Sequence, residues 1–360
     1  MAGVAPRLWY DNLVQRAATV LAVSSELTSM PRGRLLFPLR SDIWRTATGW
    51  TVTAANNGIR TGGGDAFVAV GFYATGAALA AAIVAALEAL NPTPIWACTY
   101  DAGTHKFTIS ADVAFTLLFG SGLPESIHTD LGFATTDTGS ATSHTAGSAS
   151  YQSRHWVHAD LGSALAFTVA AVINHNLSTA GTIRLDADAT SMVSQGIDSP
   201  SIDFQQALPG DAEMRQAYFA SESKRYARFV ITDVQNPAGF AELGIAFLGT
   251  YLDLAGFAPE VSDLSEPLSE STFAVQGADF HTKRQKRRGW QVRFQSRTPA
   301  ERAALQAVED LLGAGGKCFF DFDSADPDIR YVILPALNFT SAETDPVTWD
   351  LEMPLREALG

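Results

Sequence analysis

Five cationic side chains fall within six consecutive positions, Lys283-Arg284-Gln285-Lys286-Arg287-Arg288. The chain around them carries 25 basic and 38 acidic residues and a net charge of −13. Such a run suits three roles: a solvated loop ahead of a strand near Trp290, a docking segment for acid on a neighbouring subunit, or a phosphate contact. The acidic remainder of the chain repels phosphate, so nucleic-acid binding ranks last. Lys283, Arg284, Lys286, Arg287 and Arg288 are therefore the candidate subunit-docking residues.

His155, His158 and Asp160 bring metal-ligand types together. Residues three apart on a strand point to opposite faces, which keeps the two imidazoles off one ion, and no metal site is expected. Asp321, Asp323, Asp326 and Asp328 crowd one turn, where hard oxygens suit calcium. The EF-hand glycine and terminal glutamate are missing, so a solvated acidic turn is favoured and calcium stays open. Gly62-Gly63-Gly64 has no Lys-Ser after it and reads as a loop rather than a phosphate cradle. No nucleophile elbow, Walker loop, zinc-protease helix or dinucleotide fingerprint occurs. No catalytic or cofactor-binding residue is assigned, and the chain is not expected to be an enzyme.

The elements that would carry these residues change character along the chain. With 46% hydrophobic and 18% charged residues in 360, two or three folded domains are expected, without long disordered stretches. The N-terminus lacks a basic region followed by an apolar core, so no signal peptide is read. The apolar run from Ala77 to Leu90 is shorter than the ~20 residues a membrane helix needs. Cys98 and Cys318, far apart in sequence, read as buried reduced thiols.

Between 47 and 152 lies a β/α pattern: a strand around Phe67-Val68-Ala69-Val70, then a helix capped by Thr75 with Leu79, Ile83 and Leu87 on one face, stopped by Asn91-Pro92. Strands Trp96 to Tyr100 and Lys106 to Ser110 follow, joined by Asp101-Ala102-Gly103-Thr104. The Gly/Ser/Thr-rich tract Thr135 to Ser150 reads as a linker or loosely held loop. From 153 to 254 the period is two. Leu165, Phe167, Val169, Ala171 and Ile173 form one face, Ile183 and Leu185 another, then Ala227, Phe229 and Ile231. Leu243, Ile245 and Phe247 follow the Asn236-Pro237-Ala238-Gly239 turn. That spacing predicts a β-sandwich.

In the last hundred residues Trp290, Val292 and Phe294 alternate with polar residues. Thr298-Pro299-Ala300-Glu301 is a capping box that opens a helix through Ala304, Leu305, Val308, Leu311 and Leu312 to Gly313. Strands are predicted at Cys318 to Phe322, Tyr331 to Leu334 and Thr348 to Met353, an α+β ending.

His155-Trp156-Val157-His158-Ala159-Asp160-Leu161-Gly162 resembles the Trp-x-x-x-Asp-Leu-Gly strand of discoidin-like (galactose-binding-like) jelly rolls. Arg225 to Ile231 looks like a later strand of that family, and Ala22 to Glu26 with Trp44-Arg45 looks like its opening. Asp233 to Tyr251 resembles discoidin-like domains of long-tailed phage tail proteins, and the 47–152 segment also looks like modules of phage structural proteins. The resemblance implies a mainly β chain with α+β parts. Residues 1–46 plus 153–254 would form a discoidin-like β-sandwich (jelly roll), 47–152 an inserted β/α module, and 255–360 a C-terminal α+β assembly domain.

The function it implies is a structural virion component of a phage tail tip or baseplate, acting through interfaces in a ring or symmetric cluster around the tail axis. Its partners would be other tail proteins and copies of itself, with no nucleic acid and no membrane insertion; it would be made in the bacterial host cytoplasm. The alternative is a carbohydrate-binding tail adhesin for host surface glycans, for which Trp50 and Tyr151 are candidate platforms, although both suit packing better. A glycan-degrading enzyme is the third class.

Overall fold

The structure, a computed structural model, describes residues 6–16, 18–36, 42–152, 154–193, 201–211, 213–254, 260–267, 270–273, 279–282, 286–313, 315–323, 329–334, 337–341 and 349–358. It is mainly β, with antiparallel sheets and two α-helices among those residues. Two compact units divide the chain, Leu13–Leu248, and Met1–Asn12 with Gly249–Gly360. The three-part division read from sequence sets 47–152 apart as well, and places 1–12 and 249–254 with the sandwich rather than with the C-terminal residues.

In the larger unit, two long strands, His155–His175 and Met214–Thr232, run antiparallel and carry most of the sandwich. Leu161–Ala164 stand opposite Arg225 alone, and Gly162 at this corner has φ +79°. Extra residues on one strand bend a ladder, so the two strands turn a corner here and serve both layers. Before the corner, Val157–Asp160 pair with Val20–Val23, and Met214–Thr232 pairs with Thr182–Asp188, which continues to Phe204–Leu208. Beyond it the strand Glu242–Asp253 joins, with Trp44–Arg45 on Glu242 and Leu243. Val157, Phe167, Leu185, Phe229 and Leu243 fill one core between the layers. Each such side chain contributes about 1.5–3 kcal/mol by leaving water.

Two predicted faces are interrupted. A second register shift between Phe167 and Val169 moves the core positions from Leu165 and Phe167 to Ala170 and Val172. Leu243 is likewise followed into the core by Ala246 and Leu248, not by Ile245 and Phe247, which are buried elsewhere.

The 47–152 segment has its own core. Helix α1, Gly76–Leu90, starts where the Thr75 hydroxyl accepts from Ala78 N at 3.2 Å, and Leu79, Ile83 and Leu87 are fully buried. Gly76 is required here, because a Cβ would meet the Tyr100 ring at 2.3 Å. The helix covers an antiparallel sheet of Trp96–Asp101, Lys106–Phe115 and Ala141–Thr145. That third strand corrects the linker reading of 135–150. Ser143, His144 and Thr145 pair with Ser110, Ile109 and Thr108, and small polar residues suit its solvent-facing positions. The strand expected at Phe67–Val70 ends at Phe67. Asn57 then binds the Val68 backbone through its N–H and its carbonyl oxygen, and the chain crosses over to pair Gly71–Tyr73 with Trp50–Val52.

In the smaller unit Arg7–Tyr10 lies between Thr250–Asp253 and Phe319–Asp321. The sheet continues through Ile329–Leu334, Trp349–Glu357 and Lys286–Arg297 to Glu260–Pro267. Helix α2, Pro299–Leu312, has the predicted capping box: Glu301 N donates to the Thr298 hydroxyl, and Thr298 N donates to the Glu301 carboxylate at 2.8 Å. Leu305 and Val308 enter a core with Trp290, Val292, Phe294, Leu351 and Met353. No described helix is long and apolar enough to cross a membrane.

Candidate ligand-binding cleft

The residues singled out by sequence disperse. His155 is fully enclosed, with Nε2 at 2.8 Å from the Gln152 side-chain oxygen and Nδ1 facing the hydroxyls of Ser24 and Ser25; burial pushes its pKa down to about 3. His158 is buried at 3% exposure and stacks on Tyr226; desolvation, then the Arg228 charge, lower its pKa to about 4. Asp160 is taken by Arg225 at 2.8 and 3.0 Å, which holds its carboxyl below the usual range. Among the described residues no group of three metal-ligating side chains comes together.

The basic run is not a loop where it is described. Lys286, Arg287 and Arg288 belong to the strand Lys286–Arg297, opposite Pro267, Glu266 and Ser265, because the ladder with Glu260–Pro267 continues through them. Lys283 and Arg284 lie outside the described residues. Asp321 is buried at a strand end and accepts from Asp323 N at 3.2 Å, not a solvated position; Asp326 and Asp328 lie outside the described residues. Cys318 is buried and Cys98 only half-buried, with burial pushing both thiols up to about 12. Trp50 is a packing residue at 4% exposure, edge-on to Tyr100 and Phe107. Half-buried Tyr151 lies 4.2 Å from the His105 ring.

What the chain does bring together is the seam between the 47–152 segment and the sandwich loops. Asp130, 1% exposed, accepts Arg154 N at 2.6 Å and Asn56 Nδ2 at 3.0 Å, with the Arg154 guanidinium at 3.8 Å. Its carbonyl receives the Trp50 indole and the Ser150 hydroxyl. Tyr151 N donates to Val234 O at 2.6 Å, and Gln152 Nε2 to Asp233 O at 3.2 Å. These bonds fix the C-terminal end of the segment to the turn after Met214–Thr232, and tie Asp130 and Asn56 of the segment to Arg154 just ahead of the strand His155–His175.

Above this seam opens a cleft of about 260 Å³. One wall is the 129–134 turn with Gly147 and Ser148, held together by Ser148 N donating to Gly132 O at 3.0 Å. The other is Ala180 with 232–235. Asp233 is anchored by Ser178, whose N–H and hydroxyl donate to it at 2.7 and 2.6 Å, so each carboxylate oxygen keeps further acceptor capacity. The ring of Phe133 supplies apolar lining, and Thr129, Ser148 and Gln235 supply hydroxyl and amide groups. Sequence reasoning read Asn236-Pro237 only as a turn and missed this wall. No pattern along the chain links 129–134, 147–148, 180 and 232–235.

A scan against protein-family profiles finds no match, and a search of curated proteins finds no relative. Among solved structures, the chain is similar to the family 32 carbohydrate-binding module of C. perfringens NanJ in complex with galactose, at 9% identity and TM-score 0.29, over 69% of this chain and 99% of that one. It is similar to chitosan-binding module 2 of a Paenibacillus sp. IK-5 chitosanase/glucanase in complex with chitotriose, at 17% identity and TM-score 0.21, over 29% of this chain and 76% of the module. A Clostridium perfringens module, CpGH89CBM32-5, in complex with GalNAc-beta-1,3-galactose, matches at 10% identity and TM-score 0.19, over 27% and 66%. Scores this low do not define a shared fold, and the sandwich architecture rests on the strand pairing above.

Proposed function

We propose that this chain is a glycan-binding protein that holds a saccharide in the seam cleft without cleaving it. The observation that carries the reading is the cleft's lining: a buried, anchored carboxylate, hydroxyls and an amide beside an aromatic ring. A sugar offers hydroxyls that both donate and accept, and a C–H face that packs on apolar surface, so this mixture suits it better than it suits an apolar ligand. The sequence's resemblance to galactose-binding-like jelly rolls agrees with a site at the loop end of a sandwich, as an analogy of fold.

Titration calorimetry against a glycan panel tests the proposal. Gly147 lines the cleft and a Cβ there meets nothing within 4 Å, so Gly147→Trp sets a bulky ring at the cleft's edge without a clash. The wild type should bind at least one glycan saturably without releasing cleavage products, and the variant should lose that binding. A wild type that binds no glycan, or releases sugar products, would overturn the proposal.

The second reading, a tail-tip or baseplate component working through subunit interfaces, has one observation in its favour. Glu260–Pro267 pairs with the Lys286 end of its partner strand, and Glu270–Phe273 pairs with Asp279–Thr282 in nearly the same register, a two-stranded ribbon. Two-stranded hairpins are marginal alone in water and gain stability by packing on something. Assembly into particles with and without the ribbon tests this reading.

A further inference from the structure

A groove of about 350 Å³ opens within the 47–152 segment, lined by residues none of which lines the seam cleft. Its walls come from 61–63, 91–96 and 113–116, with Ser140 closing one side. The Thr61–Gly64 hairpin turns through Gly62 and Gly63, and Gly64 has φ +128°, a conformation that side chains resist. A Cβ on Gly62 would come within 3.0 Å of the Thr116 hydroxyl, so the glycine lets the turn approach the strand end and leaves the groove open. The glycine triplet is thus a wall, not a loose loop.

The floor is apolar and rigid. Trp96 and Phe115 meet edge-on with ring centroids 4.9 Å apart, and the Trp96 indole N–H is tied to Asn91 O at 3.0 Å. Around it, Asn91 Oδ1 accepts from Thr93 N at 3.3 Å, which points the amide's other end elsewhere. Asn91 Nδ2 and the hydroxyls of Thr93, Thr116 and Ser140 have no hydrogen-bond partner among the described residues. In a chain with 38 acidic and 25 basic residues, this groove is lined by none of them.

Unpaired neutral donors and acceptors over an aromatic floor, with no charge to offer an ion, define a narrow class of ligand. We infer that the groove is a second saccharide site, selective for an uncharged glycan. The inference rests on the glycan-binding reading for its biological sense, but on different residues for its site. Anionic sugars gain no cation here, and a cationic sugar gains no carboxylate. An uncharged sugar gains hydrogen bonds to the Asn91 amide and the groove's hydroxyls, and packs on the exposed edges of Trp96 and Phe115.

The test uses fluorescently labelled maltohexaose, cellohexaose, mannohexaose and chitohexaose, with hexagalacturonate as the anionic control, measured by anisotropy on the full chain. Four proteins are compared: wild type, Gly147→Trp, Gly63→Trp and Asn91→Asp. At Gly63 a Cβ meets only the Thr61 hydroxyl at 3.6 Å and Asn91 Nδ2 at 3.9 Å, so tryptophan enters the groove without backbone strain. Asn91→Asp keeps the acceptor for Thr93 N while exchanging the amide donor for a charged acceptor oxygen, which guards against a misfolded tryptophan variant. With Gly147→Trp blocking the seam cleft, a neutral hexasaccharide should still bind. Gly63→Trp should abolish that residual binding, and Asn91→Asp should weaken it about 3–10-fold, the loss expected for one hydrogen bond.

Binding abolished by Gly147→Trp and untouched by Gly63→Trp overturns the second site while leaving the seam cleft standing. Binding by none of the four proteins overturns both. Preference for hexagalacturonate, or neutral binding undiminished by Asn91→Asp, overturns the assignment of an uncharged ligand held through Asn91.

Discussion

Asp130→Ala removes the carboxylate on which the 47–152 segment and the sandwich converge, and its cost can be worked from the contacts. Arg154 N donates to Oδ1 at 2.6 Å and Asn56 Nδ2 to Oδ2 at 3.0 Å, and the Arg154 guanidinium, 7% exposed, lies 3.8 Å from Oδ1. A hydrogen bond to a charged group is worth about 1.5–3 kcal/mol, and removing one member of a buried ion pair costs about 3–5 kcal/mol. These terms share one side chain and do not add, so about 3–5 kcal/mol is expected in total. Asp130→Asn keeps one acceptor, but its new amide faces a donor whichever way it turns. Asn56 cannot rotate to help, because its oxygen already accepts Thr53 N at 2.7 Å and the Thr53 hydroxyl at 2.8 Å. That variant should therefore lose about 1–3 kcal/mol. Urea unfolding followed by tryptophan fluorescence and by circular dichroism measures both. An alanine variant within about 1 kcal/mol of wild type would refute this account of the seam.

Three further outcomes follow from the structure. Replacing 48–151 by a short Gly/Ser bridge should leave a folded β-rich protein, because the segment has a core of its own and Arg154 becomes solvated once the segment is gone; loss of the β signal or uniform sensitivity to proteolysis counts against it. His155 and His158, with pKa values lowered to about 3 and about 4, stay neutral when folded but bind protons when unfolded. Stability should thus fall as pH drops below the ordinary histidine value, by about 2 kcal/mol per histidine at pH 5, and stop falling once pH passes the folded values. The double variant His155→Asn/His158→Gln should show a shallower fall between pH 7.5 and 5, and an unchanged slope would show that neither histidine is the cause. Arg287→Glu/Arg288→Glu should leave the fold intact, with a small drop in melting temperature because Glu266 stands opposite Arg287; on the assembly reading it should weaken self-association by about 2–5 kcal/mol if the pairs are desolvated and under about 1 kcal/mol if exposed. Sedimentation at low and high salt distinguishes these, and identical self-association under both conditions removes the docking role.

Local signals carried the sequence a long way. Thr75 and Thr298 cap the helices they were expected to cap, since a hydroxyl one position before an apolar helical face has few other uses. Gly239, at φ +74°, completes the Asn236 turn by donating to Asn236 O at 2.9 Å. What sequence could not yield was anything set by pairing at a distance. The shift after Phe167 exchanges one face for the other and leaves no trace in an apolar run where both faces are buried. Ala141–Thr145 lacks the Val, Ile and large aromatic residues that mark buried strands, its two threonines suit a loop as well, and it is a strand because Lys106–Phe115 offers it a ladder. The cleft was invisible for the same reason. Phe133, Ser148, Ala180 and Asp233 become neighbours only once Tyr151 and Gln152 bind the 233–234 backbone.

On the proposed reading, a saccharide occupies the cleft bounded by the 129–134 turn and the 232–235 segment. The most direct measurement is photo-crosslinking with a diazirine-bearing oligosaccharide taken from the panel that the wild type binds, followed by peptide mapping. Label should concentrate on peptides containing 129–134, 147–148 and 232–235, be displaced by the unlabelled sugar, and be absent from those peptides in Gly147→Trp. Label spread evenly over the chain, or undiminished in those peptides by the unlabelled sugar, would contradict the account.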